Sequence, residues 1–186
     1  MTCFRRLVAD QSATAAAEMA LVMPIFVALI FGTFEFGHFF MSEHIVQKSV
    51  RDAARYAARL PLTNYSGCAV GGTALTNIQN VAKAGDPDGD SDNDGSPDQR
   101  LQGWTDAAMT SVTVACDTSG SYKGVYEDFP MGAPVITVSA TVPYPTFFAT
   151  LGMGTATTSR CAAGQSGNNW KCLTLGAKSQ TAVFGA

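Results

Sequence analysis

The sequence lacks most of the residues that common enzyme chemistry requires. Only two histidines are present, His38 and His44, and both lie where an apolar N-terminal segment ends. A Ser/His/Asp or Cys/His site in the rest of the chain would therefore have no histidine. No G-x-x-x-x-G-K-[ST] segment and no helix-opening G-x-G-x-x-G segment occurs, so the phosphate-binding loops of nucleotide enzymes are missing as well. We expect a protein without enzymatic activity.

Charge is also scarce, since charged residues make up 15% of the 186-residue chain and the net charge is -3. The sequence shows no basic stripe that would neutralise phosphates, which argues against a nucleic-acid partner. Six of the 15 acidic residues lie within residues 86–98. The length suffices for one globular domain with an attached segment.

Cysteines are few, and no C-x-x-C or Cys/His metal spacing is present. One precedes the apolar segment and four follow it: Cys3, then Cys68, Cys116, Cys161 and Cys172. Four cysteines permit three pairings. We favour Cys161 with Cys172, because the polar, glycine-rich segment between them closes easily, which leaves Cys68 with Cys116. These disulfides require an oxidising compartment, and free buried thiols are the alternative.

An apolar segment near the N-terminus is long enough to enter a membrane. Residues 19–34 carry no charge, which corresponds to about 24 Å of helix, and apolar character extends on both sides. Arg5 and Arg6 precede it, so we expect a cytoplasmic N-terminus and a translocated C-terminal part. A cleaved secretory signal is the alternative, but bulky aromatic residues stand where its small-x-small cleavage site would lie.

The residues after the apolar segment continue the helical pattern. Val46, Val50, Ala53, Ala57 and Leu60 recur at spacings of three and four, with polar and charged residues on the other faces. Pro61 disfavours helix in the residue before it, so the helix should end near Leu60. The sequence therefore predicts one helix that is apolar in residues 14–41 and amphipathic in residues 42–60.

Three motifs give the chain a resemblance to the TadE-like minor pilins, or pseudopilins, of the bacterial tight-adherence (Tad/Flp) pilus. The first is the segment AAAEMALVMP, which contains Glu18 and ends at Pro24. The second is AARYAA at residues 53–58, and the third is LGAKSQTAV at residues 175–183. The segment departs from the family pattern at Ala13, usually Gly, and at Met19, usually Phe or Tyr.

This resemblance implies that a prepilin peptidase cuts a leader, residues 1–13, between Ala13 and Thr14. Glu18 then becomes the fifth residue of the mature chain, where its carboxylate pairs with a Thr14 amino group and aligns neighbouring subunits. The alternative is a solvated Glu18 at headgroup level, favourable to the helix dipole. Pro24 should kink the apolar helix or remove a hydrogen bond from it.

The C-terminal region, residues 61–186, has the pattern of an α+β domain. Residues 73–84 predict a short helix that ends at Gly85 and places Leu75, Ile78, Val81 and Ala82 on one face. SVTVAC and VITVSATV alternate apolar residues and predict strands, and one or two further strands are expected near the C-terminus. We expect an antiparallel sheet packed on the amphipathic half of the long helix.

Residues 86–98 contain a series of alternating aspartates with calcium-loop spacing: Asp86, Asp88, Asp90, Asp92, Asp94 and Asp98. Alternate carboxylates can face one centre while Gly95 permits the turn, and oxygen ligands suit Ca²⁺. Leu101 occupies the twelfth position from Asp90, where an EF-hand needs Glu, so we expect a shorter structural loop. A disordered acidic linker is the alternative.

These features predict a minor pilin or pseudopilin in the bacterial inner membrane, with an α+β domain in the periplasm or in a surface pilus involved in adhesion. Its expected partners are other pilin subunits, the pilus assembly machinery and the prepilin peptidase. A membrane-anchored calcium-dependent adhesin without pilin processing is the first alternative. A membrane-tethered hydrolase that uses aspartates is the second.

Overall fold

The structure is a computed structural model that describes residues 11–117, 126, 132–144 and 173–185. The chain forms two compact units, Met1–Phe39 (unit 1) and Phe40–Ala186 (unit 2). Its longest element is a 49-residue helix, α1, which runs from Gln11 to Arg59 and contributes to both units. The predicted long helix is therefore confirmed, and its end at Arg59 lies one residue before the predicted end.

In unit 1, α1 exposes its apolar side chains. Every described side chain from residue 14 to residue 34 is exposed, and Leu21 retains 72% of its accessible surface. Pro24 lies inside the helix, which continues through it without a break. Within the described residues, one helical segment, Thr14–Arg59, is long and apolar enough to cross a membrane, and its most apolar window has a mean hydropathy of 2.1.

In unit 2, the second half of α1 buries one face. Val46, Val50, Ala53 and Ala57 are all at most 1% exposed, as the three-and-four spacing predicts. Small alanines on this face let the rest of the unit approach the helix backbone closely. A short 3₁₀ turn, Leu62–Tyr65, follows the helix after Pro61.

The second helix, α2, spans Gly72–Lys83 and buries Ala74, Ile78, Val81 and Ala82. Leu75, which the sequence places on the same face, is only half-buried, whereas Ala74 is buried. The helix ends at Ala84, and Gly85 follows with φ +101°, where a side chain would be strained. The Gly85 N–H donates to the Val81 carbonyl at 3.1 Å, which gives the predicted glycine stop.

Three strands form an antiparallel sheet in the order β1-β2-β3. They span Thr110–Asp117 (β1), Ala133–Pro143 (β2) and Thr174–Ala182 (β3). Val138 in the central strand pairs with Val112 on one side and Ser179 on the other. The predicted inward residues of β2 are all at most 2% exposed: Ile136, Val138, Ala140 and Val142.

The core of unit 2 joins the sheet to the second half of α1. Trp104, Tyr65 and Val183 are fully buried. The Phe184 N–H donates to the Ala58 carbonyl of α1 at 3.2 Å, and the Val183 N–H donates to Pro134 in β2 at 3.0 Å. The segment that follows β3 therefore holds helix and sheet together. The predicted α+β fold, a long helix on an antiparallel sheet, is confirmed.

Candidate functional site

Residues 86–98 form a folded loop, called here the acidic loop, which leaves α2 and leads towards Trp104 and β1. Its two ends are tied together by the Asp98 N–H, which donates to the Gly89 carbonyl at 2.8 Å. Asp90 shapes the turn, because its carboxylate accepts the N–H groups of Asp94 (3.1 Å) and Gly95 (2.8 Å). Gly95 adopts φ +86°, a conformation in which glycine is unstrained.

The acidic loop brings three of its six aspartates together. Oxygen atoms of Asp90, Asp92 and Asp98 lie within 4.8 Å of one another. Calcium–oxygen bonds measure about 2.3 to 2.6 Å, so one ion between these carboxylates would be within reach of all three. These three carboxylates are the candidate cation ligands of the acidic loop.

The remaining three aspartates of the predicted set of six lie outside this group. The Asp86 carboxylate accepts the Asp88 N–H at 3.0 Å, and the Asp94 carboxylate accepts the Ser96 N–H at 2.7 Å. Asp92 makes the same kind of turn bond, since its carboxylate accepts the Asp94 N–H at 3.2 Å, and it still belongs to the group. These turn bonds therefore do not separate the grouped aspartates from the others, and the set of six ligands stays a prediction.

Asp98 has the most perturbed carboxyl of the acidic loop. The Ser91 hydroxyl donates to it, the Ser91 N–H donates at 2.7 Å, and these bonds hold the pKa of Asp98 below its ordinary value. Leu101, the twelfth residue from Asp90, is 6% exposed and contributes to the core.

Arg100 links the acidic loop to α1, a contact that no pattern in the sequence indicates. Its guanidinium lies 3.0 Å from the Asp52 carboxylate and 3.3 Å from the Ser49 hydroxyl. The same guanidinium passes over Gly85, where a Cβ atom would lie 2.6 Å from it. A single arginine after a series of aspartates forms no periodic pattern, so the sequence did not indicate this contact with α1.

Cys68 and Cys116 are joined as a disulfide in the structure, with their Cα atoms 5.7 Å apart. This bond links the segment before α2 to the end of β1, across 48 positions of sequence. The predicted partners Cys161 and Cys172 lie outside the described residues, as does Cys3.

The residues of the predicted N-terminal site all lie on α1. Ala13 and Thr14 belong to its first turn, and the Glu18 side chain is exposed one turn later. The structure places no other described residue against Glu18. An assembly role for this carboxylate would therefore need groups from outside the described chain.

The architecture is that of an α+β unit that carries an exposed apolar helix at its N-terminus. Residues 13–55 of this helix match the family model described as TadE-like protein, so the resemblance seen in the sequence motifs is confirmed. The match supports a component associated with the Tad pilus. Comparisons with curated proteins and with solved structures find no match.

Proposed function

We propose that this protein is a minor pilin or pseudopilin of a Tad-type pilus, anchored in the inner membrane by residues 14–41 and carrying unit 2 on the periplasmic side. The TadE-like match over residues 13–55 is the observation that carries the proposal. The match covers the apolar half of α1 and most of its amphipathic half. Supporting it, every described side chain from 14 to 34 is exposed, as expected of a helix that meets lipid or neighbouring helices.

In this proposal the role is structural. A prepilin peptidase removes residues 1–13, and Glu18 of the mature chain pairs with the new Thr14 amino group of a neighbouring subunit. A carboxylate in hydrocarbon is costly, so such a pair stabilises one lateral alignment of helices over others. Unit 2 would then prime or decorate a pilus and contribute to adhesion, with its disulfides formed in the oxidising periplasm.

The N-terminal mass of the protein from its native membrane tests processing. We expect a mature chain that begins at Thr14, and we expect Ala13→Leu to block the cut. Ala28→Leu, the same change further along the apolar helix, is the matched control and should leave the cut unchanged. A wild-type chain with its leader intact would contradict pilin processing and favour the anchored adhesin.

Assembly is tested separately with Glu18→Ala. We expect normal cleavage but loss of co-purification with other pilus subunits. Glu43→Ala is the control, because Glu43 lies past the apolar segment and is hydrogen-bonded to Gln47 at 3.2 Å on the same helix. Equal assembly of both variants would remove Glu18 from the proposed mechanism.

We further propose that the acidic loop binds a structural Ca²⁺ through Asp90, Asp92 and Asp98. The proximity of their oxygen atoms, within 4.8 Å, supports this site. A bound ion would relieve repulsion among the three carboxylates and stiffen an exposed loop. It would supply charge neutralisation, with no chemical step.

Thermal unfolding of the full chain in detergent tests the calcium site. Calcium at 100 times its dissociation constant should stabilise unit 2 by about 2.7 kcal/mol. Asp92→Asn should abolish the shift, and Asp88→Asn, in the same loop but outside the group, should retain it. The absence of any shift in millimolar calcium would leave residues 86–98 as an ordinary acidic loop.

A further inference from the structure

Unit 2 carries a row of exposed cations that the linear sequence does not display. Four of them lie on α1 and one on β3, and together they are called here the basic ridge: Lys48, Arg51, Arg55, Arg59 and Lys178. At about 100° per residue, the four helical positions fall within an arc of about 80° and rise about 17 Å along the axis. The linear sequence shows no basic stripe, because only the helical period brings these residues to one side of α1.

Nothing in the described part of the chain neutralises this ridge. Asp52 forms an ion pair with Arg100, at 3.0 Å. Asp52 is the acidic residue closest to the ridge along the helix, and its carboxylate is thus engaged elsewhere. Glu43 accepts a hydrogen bond from Gln47. The five cations of the ridge therefore face solvent without a partner in the described chain.

Such an arrangement has a cost within the helix. Arg51 and Arg55, and Arg55 and Arg59, are like-charge pairs four residues apart, and each such pair destabilises a helix by about 0.2 to 0.5 kcal/mol. The helix dipole favours a cation in the last turn, which accounts for Arg59. It does not account for Lys48 and Arg51, which lie two turns or more before the end of the helix. A binding partner of opposite charge would offset the repulsion within these pairs.

The ridge also borders a groove. Gln47 and Arg51 of α1 face Gly176, Ala177, Lys178 and Ser179 of β3 across a shallow cleft of about 290 Å³. On the β3 side of the cleft, Gly176 contributes no side chain. Arg51 and Lys178 place one cation on each side of the cleft. A groove flanked in this way suits carboxylate groups from an extended segment.

The acidic loop has the complementary charge. It carries six aspartates and no lysine or arginine between residues 86 and 98. Asp88, Asp92 and Asp94 are exposed, so they are accessible to another molecule. Among the described residues, none of the loop carboxylates forms an ion pair with the ridge of its own chain.

We infer that the basic ridge of one copy binds the acidic loop of a second copy of this chain. The ridge and the loop are different surfaces, so the contact is heterologous, and successive copies can add in one direction. An anionic lipid surface is the alternative source of negative charge. A linear row of cations that rises 17 Å matches an elongated acidic segment better than a lipid surface whose field decays within about 8 Å. The inference is independent of the proposed pilus role, since it concerns unit 2 of any copies that share a membrane.

Zero-length carbodiimide cross-linking tests this contact, because it joins lysine amines to carboxylates in direct contact. Full chains labelled with ¹⁴N and ¹⁵N are mixed and reconstituted in phosphatidylcholine vesicles, which lack anionic lipid. We expect isotopically mixed cross-links from Lys48 or Lys178 to residues 86–98, with a strong decrease at 0.5 M salt. Cross-links confined to one isotope, or none from these two lysines, would overturn the inference.

Two variants of equal net charge test whether cross-linking depends on the basic ridge or only on the net charge of the protein. Arg51→Gln with Arg55→Gln should reduce the mixed cross-links about fivefold, while both reactive lysines remain. Thr73→Glu with Gln102→Glu changes the net charge equally at exposed positions outside both surfaces and should have little effect. Equal reductions in the two variants would contradict a specific ridge.

The lipid alternative has its own readout. Acetylation of Lys48 and Lys178 is followed in vesicles with and without phosphatidylglycerol at a protein density too low for contact between copies. Protection that depends on the anionic lipid would assign the ridge to the membrane surface and overturn the contact between copies. Lysines that react equally in both vesicles would agree with a protein partner.

Discussion

The same helix, α1, is exposed in one unit and partly buried in the other. In unit 1, the described side chains of α1 are exposed around the whole helix from residue 14 to residue 34. In unit 2, α1 buries a stripe that includes Val46, Val50 and Ala53 against its own chain. Apolar surface is favourable only when it is removed from water. Unit 2 achieves this by folding, whereas in the proposed function lipid or neighbouring helices cover unit 1.

The two units should also differ in how a substitution affects thermal unfolding. Unit 2 has a packed core, a sheet and buried hydrogen bonds, so single side chains there should affect thermal unfolding. In unit 1, the described side chains from residue 14 to residue 30 are exposed, so the loss of one of them should remove little packing. The same substitution should therefore have different effects in the two units.

Ile136→Ala against Ile25→Ala gives the largest expected difference. Ile136 is fully buried in β2, whereas Ile25 is 60% exposed on α1. Loss of a buried isoleucine side chain should destabilise unit 2 by about 2 to 5 kcal/mol, because it leaves a cavity. Ile25→Ala should change the unfolding of unit 2 by less than about 0.5 kcal/mol. Chemical denaturation of the full chain in detergent measures both, and comparable losses would contradict the division into two units.

Alkaline pH should weaken unit 2 through Tyr65. This side chain is fully buried, and its hydroxyl donates to the Ala57 carbonyl at 2.6 Å. Burial, with a smaller effect of Tyr56, raises the pKa of Tyr65 from 10.0 to about 12. Because the folded state holds the proton more tightly, the stability from this group is complete below pH 10 and is lost between about pH 10 and 12, by about 2 to 3 kcal/mol.

Tyr65→Phe is the control for this pH dependence. The variant should be less stable at pH 8 by about 1 kcal/mol, since the hydrogen bond to Ala57 is lost. Its stability should then decrease less than that of the wild type between pH 10 and 12. Parallel curves for the two proteins would assign the alkaline loss to other groups.

Gly85→Ala against Gly32→Ala compares a glycine that the fold requires with one that it does not. A Cβ atom at Gly85 would lie 2.6 Å from the Arg100 guanidinium, at φ +101°, so we expect a loss of about 1 to 2 kcal/mol. Gly32 lies on α1 with no atom within 4 Å of its Cβ position, and alanine should cause no loss there. Thermal unfolding in detergent compares them, and an equal response would show that Gly85 is not constrained.

The Arg100–Asp52 ion pair should have the smallest effect. Both side chains are more than a quarter exposed, so a double-mutant cycle with Arg100→Met and Asp52→Asn should give a coupling energy of about 0.5 to 1 kcal/mol. The coupling should decrease in 1 M salt. A coupling above about 2 kcal/mol would mean that this contact is the main attachment of the acidic loop.

Much of the fold could be predicted because each element has a strong local pattern. The 3.6-residue period predicted the buried stripe of α1. Pro61 predicted where α1 ends, and Gly85 predicted where α2 ends. Alternation gave the inward residues of β2. The grouping of three aspartates in the candidate site could not be predicted in this way, because it depends on how the acidic loop folds, and the alternation of aspartates carries no information about that.

By itself, the sequence determined the elements that depend on periodicity and on single residues: the apolar helix, its amphipathic continuation, the short helix and the strands. The TadE-like N-terminal segment was also recognisable from local motifs. The tertiary structure decided which distant residues meet. It joined Arg100 to Asp52, grouped Asp90 with Asp92 and Asp98, and placed Lys178 of β3 beside Arg51 of α1. Local patterns record the preferences of neighbouring residues, whereas these contacts depend on how the whole chain of unit 2 packs.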